Sequence, residues 1–218
     1  MQKKRKLVIL GATGTVGAKA LSILEGANLD IEVVAASAHT RMEDLRSLIP
    51  GNGRSFLTSN EHQCADLLGF LKEGEYDICL NAVVGAAGLP FSAAVLQGGK
   101  ILGLANKESL VMAGNPLARI ADETGAVIVP VDSEHSAIHQ CLRGEKGSTV
   151  RGIFLTASGG ALRDLPLESL DSVTPEQALE HPNWAMGPRI TVDSATMMNK
   201  ALEIVEACHL FDLPPDKV

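Results

Sequence analysis

Residues 6–17 read Lys-Leu-Val-Ile-Leu-Gly-Ala-Thr-Gly-Thr-Val-Gly, and this segment indicates the fold more strongly than any other part of the chain. Its first five residues form an apolar run that predicts a buried strand, and the apolar spacing over 16–25 predicts a helix. The glycines at 11, 14 and 17 have the spacing G-x-x-G-x-x-G, which lets the backbone approach dinucleotide phosphates at a helix N-terminus. The alternative is a tight strand–helix turn that binds nothing.

The alternation of strand and helix continues through residue 131. Further strands are predicted over 31–36, 76–81, 100–104 and 126–131, and helices over 61–72, 91–97 and 108–123. This order predicts right-handed crossovers, and hence an α/β fold with a doubly wound, mostly parallel, Rossmann-like sheet. We therefore predict a dinucleotide-binding domain over residues 1–131.

The pattern of elements changes in the last third of the chain, after the polar, glycine-containing segment 144–152. The predicted elements are a strand over 152–157, a helix that starts with the capping box Thr174-Pro-Glu-Gln, a loop over 181–188, and a helix over 195–210 that Ser194 caps. Together they predict an incomplete α+β catalytic domain over 132–218.

Composition and charge exclude several function classes. The chain has 218 residues, of which 45% are hydrophobic and 3% aromatic, and its formal charge is −7 although four cations form a basic head at 3–6. An acidic body with few aromatic side chains binds polyanions poorly, so neither nucleic acid nor an anionic membrane is expected as a partner. The uncharged segment 78–99 contains glycines, Asn81 and Pro90, and it predicts a strand, a loop and a helix rather than a membrane span.

The cysteine pattern indicates the cellular compartment. The four cysteines, Cys64, Cys79, Cys141 and Cys208, form no C-x-x-C pair. Their flanking residues predict free, buried thiols, which is typical of a protein in a reducing cytoplasm.

The residues after the second predicted strand bear on the choice of dinucleotide. An NAD enzyme would place a carboxylate there to bind the ribose 2′-hydroxyl. The segment 35–41 has none, but it contains Ser37, His39 and Arg41, which could accept a 2′-phosphate. The sequence therefore favours NADP over NAD.

Two groups of polar residues suggest a metal and phosphate site. Asp132 and Glu134 follow the strand 126–131, and in an extended chain both carboxylates would point to one side, as for Mg²⁺ or Mn²⁺ ligands. The alternative for this pair is an ordinary helix cap. Asn199, Lys200 and Glu203 share one side of the last predicted helix, where the alternative is a solvated polar stripe.

Six segments together resemble the 1-deoxy-D-xylulose 5-phosphate reductoisomerase family. The first, at 11–17, is common to many nucleotide-binding proteins, whereas the last three are far more specific. The segments are GATGTVG (11–17), LANKESLV (104–111), PVDSEHSAI (130–138), TASGG (156–160), HPNWAMG (181–187) and VDSATMMNKALE (192–203).

The resemblance implies an activity and a set of site residues. It implies an NADPH- and Mg²⁺- or Mn²⁺-dependent enzyme of isoprenoid precursor synthesis, which rearranges and reduces 1-deoxy-D-xylulose 5-phosphate, a small phosphorylated sugar, to 2-C-methyl-D-erythritol 4-phosphate. The implied metal ligands are Asp132, Glu134 and Glu203. The implied substrate contacts are Lys107, Ser133, Ser158, His181, Ser194, Asn199 and Lys200. The implied NADPH contacts are Thr13, Gly14, Thr15, Val16, Asn106, Glu108 and Gly187. Trp184, in the segment 181–187, would act as a lid over the substrate. The alternative is a surface-loop tryptophan that packs on its own domain.

The sequence also departs from the family. The loop after the second strand is shorter than usual, and family members are nearly twice as long, so we expect a fragment whose full-length form would be a homodimer. One alternative is an NADPH-binding module without turnover. Another is a semialdehyde-dehydrogenase-type reductase, for which Cys141 near His139 would have to be the nucleophile. The histidines His135 and His139 are interpreted as structural or surface residues.

Overall fold

The computed structural model describes residues 4–27, 29–49, 53–145 and 150–218. It divides into two compact units, Met1–Ser136 and Ala137–Val218. The domain boundary predicted after residue 131 lies a few residues earlier than this division. Residues 146–149, in the polar segment predicted as a boundary, and residue 3 of the basic head lie outside the described residues.

A parallel sheet forms the centre of the first unit. In the described part of the chain it has six strands in the order β3-β2-β1-β4-β5-β6, and every adjacent pair is parallel. The strands are β1 (Arg5–Leu10), β2 (Ile31–Ala38), β3 (Arg54–Leu57), β4 (Ile78–Asn81), β5 (Ile101–Leu104) and β6 (Val127–Pro130). The predicted doubly wound α/β fold is confirmed, and the order of strands reverses between β1 and β4.

Helices follow the strands of this sheet. They are α1 (Thr15–Gly26), α2 (Met42–Leu48), α3 (Glu61–Glu73), α4 (Leu89–Gln97), α5 (Lys107–Thr124) and α6 (Ser133–Leu142). The sequence did not predict α2 and β3, which have only seven and four residues. Helix α5 is kinked at Ala113, because the ring of Pro116 clashes with the carbonyl four residues earlier.

The core of the first unit lies against the sheet. Ile9, Leu10, Leu102 and Leu104 are fully excluded from solvent. Burying each such side chain contributes about 1.5–3 kcal/mol. The continuous apolar strands are those expected for a parallel sheet that is covered on both faces.

The uncharged segment 78–99 forms β4, a 3-10 helix and α4, as predicted. None of the helices in the described residues combines the length and the hydrophobicity that crossing a bilayer requires. The prediction of buried thiols holds for Cys79 but is wrong for Cys141, which is exposed on the last turn of α6. The cytoplasmic location stays a prediction.

The second unit contains α7 (Pro175–Leu179), α8 (Pro188–Ala195) and α9 (Met198–Phe211). The predicted capping box is confirmed, since the Thr174 side chain and Gln177 bond to each other's backbone amides. The strand predicted over 152–157 is wrong. Those residues are irregular: Ile153 donates to the Lys217 carbonyl at 2.8 Å, and Phe154 is 96% exposed. No described strand lies beside this segment to complete a ladder.

The helix predicted over 195–210 is confirmed for most of its length by α9, but its predicted start and its Ser194 cap are wrong. Ser194 lies inside α8, and Met197 has a left-handed φ of 60° before α9 starts. The Thr196 hydroxyl donates to the Val192 carbonyl at 2.9 Å and so competes with the helical pattern. A Cβ at Gly160 would lie 2.4 Å from the Ser194 carbonyl oxygen, so only glycine allows this approach to the end of α8.

Candidate active-site residues

The glycine turn connects β1 to α1 as predicted. Gly11 has φ +73°, and a Cβ at Gly17 would lie 2.4 Å from the Gly11 carbonyl oxygen, so both positions require glycine. Gly14 is the N-cap of α1, with no side-chain cap and no acidic residue in the first turn. Because Gly14, Thr15 and Val16 are exposed, this helix N-terminus can accept an anion.

The residues after β2 divide into two roles. Ser37 is fully buried, and its hydroxyl lies 3.4 Å from the Gly11 amide. The prediction that Ser37 accepts a 2′-phosphate is therefore wrong, because its buried hydroxyl accepts a hydrogen bond from the glycine turn. The exposed Arg41 donates to the Thr13 carbonyl at 2.5 Å, which places a guanidinium beside the glycine turn. His39 contacts the Thr58 hydroxyl at 3.2 Å.

Two side chains at the start of α5 hold the loop that follows β4. Asn106 is 1% exposed, and its amide donates to the carbonyls of Val83 and Gly85 at 2.8 and 2.9 Å. Glu108 accepts from the Gly85 amide at 3.1 Å and from Asn106 at 3.0 Å. Sequence inspection did not find these contacts, because nothing in the local pattern identifies the loop as their partner.

Asp132 lies in the short connection between β6 and α6, one residue before the helix begins. Its Oδ1 accepts from the Glu134 amide at 3.1 Å and lies 3.2 Å from Nδ1 of the buried His135, while Lys107 donates to its Oδ2 at 3.0 Å. The extended geometry expected for Asp132 and Glu134 is wrong, because the helix starts at Ser133. The helix-cap interpretation is confirmed, because Oδ1 accepts from the Glu134 amide. The cap is compatible with a cation-binding role, because the other oxygen, Oδ2, faces the Lys107 ammonium.

The surroundings of Asp132 favour its charged form. Burial alone would raise the pKa of Asp132, but the hydrogen bond with His135 and the positive charge of Lys107 outweigh it and hold the pKa well below its ordinary value. The carboxylate is therefore charged at neutral pH. Ser133 donates to the neighbouring Glu134 carboxylate at 2.5 Å.

The depressed pKa of Asp132 predicts acid sensitivity. A group whose pKa is lowered by folding stabilises the protein above its unfolded pKa, about 3.9, and this contribution is lost as the pH falls further. In metal-free buffer, Asp132→Asn should lower the free energy of unfolding on the order of 1 kcal/mol or more at neutral pH. The difference from wild type should shrink below about pH 4. Urea unfolding at several pH values measures it, and a difference that does not change with pH would contradict the assignment.

Ser158, His181 and Ser194 form a polar group in the second unit. The Ser158 hydroxyl lies 3.0 Å from Nε2 of His181 and 3.4 Å from the Ser194 hydroxyl. Nδ1 of His181 accepts from the amides of Asn183 and Trp184 at 3.1 and 3.0 Å. The ring therefore carries its proton on Nε2 and donates to Ser158. A histidine in this tautomer cannot take a proton from Ser158, so the pair is not a serine nucleophile with its base.

The loop 181–187 is irregular, as predicted, and ends at Gly187, the N-cap of α8. Trp184 is 65% exposed. The Trp184 amide donates to His181, but its indole is exposed to solvent. The lid role of Trp184 therefore stays a prediction.

Helix α9 confirms the predicted arrangement of its polar residues. Asn199 donates to Oε1 of Glu203 at 2.5 Å, and Lys200 donates to Oε2. Glu203 is 1% exposed, so the group is not a solvated stripe. Lys200 also donates to the Thr156 carbonyl at 2.5 Å, a long-range contact that no local pattern indicates. The buried Glu203 carboxylate has the oxygen donors that a cation requires. Asn199 and Lys200, which bond to it, are donors of the kind that bind a phosphate.

Family models match most of the chain. The model for 1-deoxy-D-xylulose 5-phosphate reductoisomerase matches residues 7–69 and 61–114, and the model for the C-terminal domain of the same enzyme matches residues 128–211. The two models therefore cover both units.

Curated relatives and solved structures agree with the family models. The chain is 43% identical to the 1-deoxy-D-xylulose 5-phosphate reductoisomerase of Oleidesulfovibrio alaskensis and 41% identical to that of Geobacter metallireducens, in each case over 98% of its own length. It spans 58% and 61% of those relatives. Among solved structures, the Zymomonas mobilis enzyme in complex with NADPH is 36% identical with a TM-score of 0.84, and the alignment covers 98% of this chain and 60% of that one.

A second solved reductoisomerase is described as a complex with NADPH, fosmidomycin and magnesium. It is 33% identical with a TM-score of 0.84, over 98% of this chain and 60% of that one. With the glycine turn, the Lys107–Asp132 pair and the Glu203 group in the segments that these models and relatives match, the chain belongs to the 1-deoxy-D-xylulose 5-phosphate reductoisomerase family.

Proposed function

We propose that this chain acts in the NADPH- and divalent-metal-dependent conversion of 1-deoxy-D-xylulose 5-phosphate to 2-C-methyl-D-erythritol 4-phosphate. The observation that carries the proposal is the carboxyl edge of the sheet in the first unit. The glycine turn lies there after β1, and the Lys107–Asp132 pair lies at the ends of β5 and β6. Ligands of open α/β sheets bind at this edge, near the point where the strand order reverses.

The glycine turn fits the diphosphate of NADPH. The uncapped N-terminus of α1 supplies amide donors, and the contacts proposed there are Thr13, Gly14, Thr15 and Val16. Asn106, Glu108 and Gly187 are proposed as further NADPH contacts. Arg41, beside Thr13, supplies the charge for a 2′-phosphate. Two of the relatives' structures contain NADPH, which supports this choice of cofactor.

The carboxylates fit a hard divalent cation. Asp132, Glu134 and Glu203 are proposed as ligands of one Mg²⁺ or Mn²⁺, since such ions select oxygen donors. Lys107 forms an ion pair with Asp132, and Lys200 forms one with Glu203. Each ammonium would neutralise its carboxylate when no cation is bound and would be available to an anionic substrate otherwise. A magnesium-containing structure of a relative supports the choice of metal.

The remaining polar side chains are proposed to bind and orient the substrate. Ser158, Ser194, Asn199 and Lys200 would donate to the phosphate, with His181 and Ser133 as further contacts. Lys107 would place a positive charge near the reacting oxygens. When bound, the cation supplies Lewis-acid stabilisation of charge on those oxygens and NADPH supplies the hydride. His181 also fixes the backbone of Trp184, which we propose covers the substrate and excludes water.

An activity assay tests the proposal. The full chain is mixed with NADPH, Mn²⁺ and 1-deoxy-D-xylulose 5-phosphate, and the oxidation of NADPH is followed by absorbance. Turnover that requires both the sugar phosphate and the metal is expected. NADPH binding without turnover would instead support a binding module, and no binding of NADPH would refute the proposal. The homodimer expected of a full-length form is tested separately by sedimentation velocity.

A further inference from the structure

We infer that the loop 83–85 is a fixed wall of the NADPH crevice, held by a closed ring of hydrogen bonds, and that Val84 contacts the cofactor from this wall. The inference rests on the proposed NADPH binding. Four buried side chains form the ring with the backbone of Val83, and none of the four is more than 1% exposed. They are Asn81, Ser92, Asn106 and Ser109.

The ring can be followed bond by bond. The Val83 amide donates to Oδ1 of Asn81 at 3.2 Å, and Nδ2 of Asn81 donates to the Ser92 hydroxyl at 2.9 Å. The Ser92 and Ser109 hydroxyls lie 2.9 Å apart. Ser109 donates to Oδ1 of Asn106 at 2.5 Å, and Nδ2 of Asn106 donates to the Val83 carbonyl at 2.8 Å. The last bond returns to the residue where the ring began.

The number of donors in the ring determines which way each serine hydroxyl donates its proton. The amide oxygen of Asn106 can only accept, so the one proton of Ser109 is used there. Ser92 must then donate to Ser109, and its own oxygen accepts from Asn81. All the donors in the ring therefore point the same way, an arrangement in which neighbouring hydrogen bonds polarise and strengthen one another. Removing the Ser92 hydroxyl takes one hydrogen bond from the buried Asn81 amide and one from the buried Ser109 hydroxyl.

The ring holds a strained backbone. Gly85 has φ 76° and ψ −166°, a conformation that is essentially restricted to glycine. Both of its peptide groups are bound: Asn106 donates to its carbonyl at 2.9 Å, and its amide donates to Glu108 at 3.1 Å. Backbone in such a conformation persists only where its surroundings determine it, and it concentrates at ligand sites.

The loop lies directly against the glycine turn. A Cβ at Gly11 would lie 2.7 Å from the Ala82 carbonyl oxygen and 3.2 Å from the Val83 amide nitrogen. The loop follows β4, the strand next to β1 at the reversal of strand order. Val84 is 68% exposed there. An apolar side chain presented by a rigid loop at this edge is suited to the face of a dinucleotide ring. Ser92 is then a positioning residue that acts through the loop, and Asn106, proposed above as an NADPH contact, also holds the loop in place.

Two variants of the full chain test the inference. Ser92→Ala opens the ring, and Val84→Asp places a carboxylate at the exposed wall without disturbing the core. Each should raise the Kd for NADPH about tenfold. Hydrogen exchange of the amides of Val83 and Gly85 should accelerate in Ser92→Ala. Tyr76→Phe is the matched control, because it removes a buried hydroxyl that donates to the Leu71 carbonyl at 2.5 Å, before β4 rather than after it. It should lower the melting temperature but leave the Kd and loop exchange unchanged.

The outcomes separate this inference from the proposed function. If wild type binds NADPH and the Kd of Val84→Asp stays within about twofold of the wild-type Kd, the inference is overturned but the proposed function is not. The same holds for a folded Ser92→Ala with unchanged Kd, or for a Tyr76→Phe that weakens NADPH as much as Ser92→Ala. If wild type binds no NADPH, the proposed function fails and the inference fails with it. If Ser92→Ala does not fold, the Kd of Val84→Asp still tests the inference, because Val84 is exposed and its substitution leaves the core intact.

Discussion

Glu134→Gln is expected to lower turnover with 1-deoxy-D-xylulose 5-phosphate, NADPH and Mn²⁺ by roughly 1,000-fold. The amide is nearly isosteric with the carboxylate, but it lacks the negative charge that a divalent cation requires from this position. The affinity for NADPH should not change, because Glu134 lies in the first turn of α6 and is not part of the glycine turn.

The control for this variant is Glu123→Gln, which removes an exposed carboxylate near the end of α5. It should retain wild-type turnover. The assignment of Glu134 would be refuted by a Glu134→Gln variant whose turnover stays within about threefold of wild type at saturating Mn²⁺.

Gly17→Ala is expected to raise the Kd for NADPH by about 100-fold. The new Cβ would meet the Gly11 carbonyl oxygen at 2.4 Å and the Ala12 Cα at 2.6 Å. Both neighbours are backbone, so the glycine turn itself must move and its amides can no longer converge on a phosphate. Fluorescence titration with NADPH measures the effect.

Gly69→Ala is a matched control, since Gly69 is also a helical glycine but a Cβ there would meet nothing within 4 Å. It should leave the Kd unchanged and stabilise α3 by up to about 1 kcal/mol. Equal NADPH affinities for Gly17→Ala and wild type would show that the turn does not bind the cofactor.

The sheet could be predicted from the sequence because each of its central strands is a buried apolar run. β1, β4 and β5 are identified by composition alone. The strand predicted over 152–157 has a similar pattern, but a strand also needs a neighbour, and a single-chain pattern does not show whether one exists. The break between α8 and α9 depends on the Thr196 hydroxyl and on the approach of Gly160, both of which compete with a favourable helical pattern.

The candidate site was predictable where its contacts are local. Asn199 and Glu203 are four residues apart, so a helix brings them together. The contacts of Ser92 with Ser109 and of Lys200 with Thr156 join distant parts of the sequence. No spacing rule predicts these contacts. The resemblance to a family implied a role for Lys200 but none for Ser92, Ser109 or Thr156.

A Mn²⁺ titration, monitored by the electron paramagnetic resonance of the free ion, tests the central claim that three carboxylates bind one cation. Wild type and the variants Asp132→Asn, Glu134→Gln and Glu203→Gln are compared, with circular dichroism to confirm folding. We expect wild type to bind a single Mn²⁺ and each variant alone to weaken that site by about 100-fold or more. A folded Glu203→Gln chain that binds Mn²⁺ as tightly as wild type would contradict the claim.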